Sequence, residues 1–253
     1  MWGGIIMNSF FVGLQFLTRL KIVNQTNWEM RDFGKSVVSF PLVGCIIGLF
    51  TYLVYFLLYN YIPHQLLMVL LVIFEFLFTG GLHADGFMDT CDGLFSGRDR
   101  ERKLEIMKDS RIGSNGVVGF VFLVLLKWQL LVSIPHEWML LTLVSLPLLS
   151  RYTMCFSITA YPYARPQGMG KAFAEFAPKY TLLYTTVMAF IPTFYFGLAY
   201  GIMFISAIAI NIILNRYIVK HLGGTTGDTY GFVTELTELL LLVVVIASMT
   251  IGL

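Results

Sequence analysis

The chain has 253 residues, 57% hydrophobic and 13% charged, with a mean hydropathy of +0.75, which excludes an ordinary soluble domain. A net charge of +2 gives no basic excess of the kind nucleic-acid binding needs. Cys45, Cys91 and Cys155 show no ligand-like spacing, which argues against a zinc site and for reduced, mostly core cysteines.

Residues 5–20 are apolar but short, and Asn8, Gln15 and Arg19 interrupt them. With no basic leader region or small-residue cleavage pattern, they predict a helix lying in the membrane interface. Seven runs then approach the length of a membrane span: 37–59, 65–82, 116–134, 138–160, 180–199, 202–219 and 235–252. The joint at Tyr200 and Gly201 is the weakest, and one kinked region there would make six. The expected fold is all-α: a polytopic membrane helix bundle forming a single domain over residues 1–253.

Segments 21–36, 83–115, 161–179 and 216–234 carry nearly every Lys and Arg, whereas connections 60–64, 135–137 and 200–201 carry none. Alternation of this kind places the long basic loops on the cytoplasmic side of a cell membrane. Tyr59, Tyr61, Trp138, Tyr180 and Tyr200 stand near span ends, as interfacial aromatic anchors do.

The chemistry is expected in residues 79–116, TGGLHADGFMDTCDGLFSGRDRERKLEIMKDSRIGSNG. Asp85, Asp89 and Asp92 are spaced by four and then three residues, so a helix puts all three carboxylates in one arc. Hard oxygen ligands beside an apolar wall suit Mg2+, which takes one or two carboxylates together with phosphate oxygens. A merely solvated acidic loop would have no reason to align its charges. His83 reads as a polar loop residue. The RDRERK run from Arg98 to Lys103 reads as a solvated, headgroup-facing helix face, whereas Asp109, Ser110 and Arg111 could add a metal ligand and a phosphate fork.

Glu75, Lys127 and Arg151 fall inside apolar runs, where charge is expensive. They are read either as ion pairs joining spans or, for Arg151, as a contact to an anionic substrate. Two further loops combine glycine with polar or cationic residues: YPYARPQGMGK, with Arg165 and Lys171, and GGTTGD, with Thr225 and Asp228, which precedes Glu235 and Glu238. Each is weak as a phosphate loop, but on one side of the membrane they describe a shared pocket.

These residues closely resemble the cobalamin synthase (adenosylcobinamide-GDP ribazoletransferase) family. The resemblance is carried by Leu17-Thr-Arg19, by GGLHADGFMDTCDGLFSGRDRERKLEIMKDSRIG, by Arg165-Pro with Gly168-Met-Gly170, and by Gly223-Gly-Thr-Thr-Gly-Asp228 with Glu235. It implies a magnesium-dependent membrane transferase that joins adenosylcobinamide-GDP to α-ribazole or its 5′-phosphate and releases GMP. Within that reading Asp85, Asp89, Asp92 and Asp109 are the expected metal ligands. Asp92, Asp109 and Asp228 are the expected catalytic groups, and Arg98, Arg111, Arg151, Arg165, Lys171 and Thr225 the expected substrate contacts. The partners are small molecules and the lipid bilayer.

Two other classes compete. CDP-alcohol phosphotransferases share an Asp-x-x-Asp-Gly opening, matched here by Asp89 to Gly93, but Ser96-Gly97 stand where Ala-Arg belongs and the later aspartate pair is missing. A transporter would place Glu75, Lys127 and Arg151 along a pathway, yet no internal repeat accompanies them.

Overall fold

A helix satisfies its own backbone polar groups, so in hydrocarbon a long apolar run has no better form. In the computed structural model, which describes residues 2–24 and 28–252, those runs are helices and the described residues contain no strand. The first, α1 (Trp2–Leu17), lies against α2 (Met30–Ser36) and buries Val12, Leu14 and Leu17. The N-terminal apolar run is therefore helical, with one face covered by protein.

Two apolar helices, α3 (Phe40–Leu58) and α4 (His64–Thr79), follow, and a sharp corner leads to the shorter, aspartate-bearing α5 (Leu82–Leu94). Gly80 and Gly81, at φ +68° and +70°, hold left-handed conformations that only glycine adopts at low cost, and α5 leaves α4 at 93°. The polar α6 (Arg100–Ile106) leads to α7 (Ser114–Val132) and then to α8 (Met139–Ala160). Of the span window in α8, 89% is buried, so α8 is the central helix and needs no polar face. It packs closely on α3 at two glycines; a Cβ at Gly48 would stand 2.6 Å from Val144 Cα.

After α9 (Met169–Phe176) come α10 (Thr181–Phe190), α11 (Thr193–Leu222) and α12 (Gly227–Thr250). Here the structure corrects the predicted spans. Tyr200 and Gly201 lie inside α11, and the break falls earlier, at Pro192 and at Gly197, whose φ is +73°. Ten residues of α10 reach only about 15 Å, half a bilayer core. Among the described residues, five helices are long and apolar enough to cross alone, or six if the bent α4–α5 pair counts as one span, against the seven expected. Tyr200 is fully buried and donates to Ala189 O at 2.7 Å, so it belongs to the core and not to an interface belt. The last span also begins earlier than expected, because Thr226 and Thr229 cap α12 reciprocally and draw Asp228 into its first turn.

Candidate active site at one end of the bundle

The loop before α9, the ends of α5 and α11 and the start of α12 gather at one end of the bundle. Gly86 and Gly231 make this possible. A Cβ on Gly86 would come 2.7 Å from Asp228 O, and one on Gly231 would come 2.6 Å from His83 O, so α5 and α12 cross at backbone contact. Sequence reading passed over this crossing, although Gly227 and Gly231, four residues apart, form the small-residue stripe by which membrane helices approach each other.

The crossing brings Asp85 and Asp89 of α5 close to Asp228 of α12. Asp89 is half-buried and lies in the field of the carboxylates of Asp85, Asp228 and Asp92, opposed by Arg165. Arg165 pairs with Asp228 at 2.7 Å. The loop carrying Arg165 is tied to the Thr225 loop by Ala164 N donating to Thr225 O and Thr225 N donating to Pro162 O, both at 2.8 Å. Thr225 is fully buried, and its hydroxyl lies 3.3 Å from Pro162 O and from the Tyr230 hydroxyl. The two loops and the aspartate helix are thus neighbours on one surface.

Other expected site residues are placed elsewhere. Asp92 turns toward α7, where its two carboxylate oxygens accept from Gly113 N at 2.7 Å and Gly116 N at 2.9 Å. There it caps the positive end of a nineteen-residue helix. Asp109 is engaged by Arg111 through a fork of hydrogen bonds, the shortest 2.6 Å, and the guanidinium holds the Asp109 carboxyl down at about 2. Arg98 is exposed, and Lys171, also exposed, donates to Pro166 O at 2.8 Å.

The intramembrane charges form one buried network. Lys127 of α7 bridges Glu235 and Glu238 of α12, each at 2.7 Å, and Arg151 of α8 pairs with Glu238 and lies 3.7 Å from Glu75. Ser150 donates to Glu238 at 2.8 Å, and His83 Nδ1 stands 3.3 Å from Arg151. Of the two readings of Arg151, the structure shows ion pairing: only 1% of this side chain is exposed. His83 is a buried helix residue next to it, not a loop residue.

Carboxylate oxygens from two helices suit a hard cation, and their mutual repulsion, eased by one arginine, favours one. Among the described residues no three carboxylate, histidine or cysteine side chains converge into a ready-made ion cage.

Fold and site together define a polytopic, all-α membrane protein with an acidic site where its polar loops meet. The chain belongs to the Cobalamin-5-phosphate synthase family, which it matches over residues 9–246. A curated relative from Clostridium botulinum (strain Okra / Type B1), named adenosylcobinamide-GDP ribazoletransferase, is 36% identical over 95% of this chain and 98% of its own length. Relatives of the same name from Thermoanaerobacter pseudethanolicus and Fusobacterium nucleatum subsp. nucleatum are 36% and 35% identical, over 92% and 97% of this chain and 94% and 100% of theirs. No solved structure matches the chain.

Proposed function

We propose that this protein is an adenosylcobinamide-GDP ribazoletransferase working with Mg2+ at the cytoplasmic face of the cell membrane. The observation that carries the reading is the Gly86–Gly231 crossing, which sets the aspartate face of α5 beside Asp228 of α12 and its partner Arg165, in a chain that aligns with transferases of that name over nearly its whole length. The acceptor is α-ribazole or its 5′-phosphate.

In the reaction a ribose hydroxyl oxygen of the acceptor bonds to the corrinoid-side phosphorus of the pyrophosphate. The bridging P–O bond breaks, GMP leaves with the bridging oxygen, and the hydroxyl proton passes to a carboxylate. Such a transfer depends on positioning and charge neutralisation. Mg2+, when bound, supplies positive charge to the pyrophosphate. Asp85 and Asp89 are the residues to hold it. Arg165 offsets phosphate charge, and on engaging substrate it frees its partner Asp228 to take the proton. Asp92 positions α7 beside the site. Arg98, Arg111 and Lys171, exposed and outside the cluster, serve as outer contacts for the guanosine phosphate.

The test is GMP release by the detergent-purified protein supplied with adenosylcobinamide-GDP, α-ribazole and Mg2+. EDTA should abolish release, and Asp89→Ala should abolish turnover while leaving the melting temperature nearly unchanged. Near-normal turnover of Asp89→Ala would remove the acidic cluster from the mechanism.

A further inference from the structure

Against the acidic site lies an open-sided cavity of about 610 Å3, bordered by the end of α1, the α4–α5 corner and the start of α7. Its size falls within the range of about 300–1,000 Å3 in which pockets enclose a ligand the size of a nucleoside. Adenosylcobinamide-GDP, with a whole corrin ring, a nucleotide and amide arms, is several times larger. Phe16, Phe76, Phe120 and Met88 provide an apolar wall suited to a flat aromatic base. Asp85 lines the same cavity, so the acidic cluster forms one of its edges.

The remaining edge is positive. Arg19 is exposed and has no carboxylate partner among the described residues; its guanidinium lies against Gly80, 3.5 Å from that carbonyl oxygen. Leu82 and Ala84, in the first turn of α5, also line the cavity. The first hydrogen bond of that helix runs from Asp85 N to Gly81 O, which leaves the N–H groups of residues 82–84 outside the intrahelical ladder. A cation and a helix start on one wall together favour an anionic group.

We propose that this cavity is the subsite of the acceptor nucleoside, an inference that rests on the transferase reading above. The base lies against the aromatic and methionine wall, the ribose hydroxyl faces Asp85, and a 5′-phosphate, where present, meets Arg19 and the start of α5. The donor then approaches from the open side, over Asp89, Asp228 and Arg165, so that the two substrates meet at the aspartates.

Equilibrium binding of α-ribazole and of α-ribazole 5′-phosphate to the purified full chain, measured calorimetrically without donor, tests this beside the KM of each substrate. Met88→Trp, which fills the cavity, should weaken α-ribazole binding and raise acceptor KM by about tenfold or more, with the KM for adenosylcobinamide-GDP unchanged. Arg19→Ala, on an exposed side chain, should weaken 5′-phosphate binding by about tenfold and affect α-ribazole much less. Unchanged acceptor binding in both variants overturns the assignment. So does a rise in donor KM in place of acceptor KM, which would give the cavity to the corrinoid. Asp89→Ala separates the two ideas. Lost turnover with retained α-ribazole binding supports both, whereas retained turnover defeats the acidic-cluster reading and leaves the binding result to decide the cavity.

Discussion

The backbone of Asp228 rests against Gly86 so closely that a single methyl group at Gly86 would come 2.7 Å from its carbonyl oxygen. Nothing flexible stands there to yield, since its nearest neighbours are backbone atoms of Asp228 in α12. Gly86→Ala gains up to about 1 kcal/mol of helix propensity but must separate two helices, an overpacking cost of about 1–3 kcal/mol. The variant should melt at lower temperature and lose most of its turnover, because Asp85, Asp89 and Asp228 move apart. Thermal melting in detergent beside an activity assay checks both; wild-type activity would show that the helix spacing does not set the site.

Asp92 and Asp89 should behave as opposites. Removing the Asp92 carboxylate leaves Gly113 N and Gly116 N without their acceptor, so Asp92→Ala should cost about 1–2 kcal/mol of stability. Asp92→Asn, which keeps one oxygen acceptor, should recover part of that loss. Melting temperatures of the two variants decide the point, and an Asp92→Ala protein as stable as wild type would exclude the capping role.

Lys127→Met removes the cation shared by Glu235 and Glu238 and leaves buried carboxylates facing each other. Breaking a buried ion pair on one side costs about 3–5 kcal/mol, whereas removing both sides is often nearly neutral. Lys127→Met should therefore express poorly or melt early, and Lys127→Met combined with Glu235→Gln should regain much of the loss. A double variant no better than the single one would show that Lys127 stabilises by packing alone.

The Asp109–Arg111 pair gives a pH dependence of defined sign. The folded carboxyl titrates at about 2, below its ordinary 3.8, so whatever the pair adds to stability is present above 3.8 and lost as pH falls through about 2. Arg111 is exposed and Asp109 partly so, and the effect should therefore be small and weaken in salt. Carboxyl-carbon NMR of labelled Asp109 should show it ionised throughout the neutral range, and Arg111→Ala should move its midpoint up toward 3.8. An unmoved midpoint would rule out the pair as the cause.

How much of this was readable follows from how far each interaction reaches along the chain. The helix bearing Asp85 and Asp89, and the long apolar runs such as α3, α7 and α8, are local patterns, and hydropathy and spacing expose them. The turn near the fifth and sixth predicted spans was misplaced because Tyr200-Gly201 has turn composition, while the real break depends on Pro192 and on Gly197, whose positive φ a glycine adopts at low cost. Asp92 joined the metal set because it shares a face with Asp85 and Asp89; its partners at Gly113 and Gly116 depend on where α7 comes to rest. Lys127 finds its partners more than a hundred residues away, which no local pattern announces.

Asp228 and Glu235 are seven residues apart on α12, two turns, so they stand on nearly one face about 10.5 Å from each other. One end of that stretch pairs with Arg165 beside the aspartate helix and the other is fastened to Lys127. The stretch therefore works as a ruler whose length evolution cannot adjust. Inserting or deleting a single residue between them would swing Asp228 about 100° away from α5, however well the rest of the bundle assembled. Variation in chain length among working relatives should thus collect in the connections outside α12, with this interval held at seven.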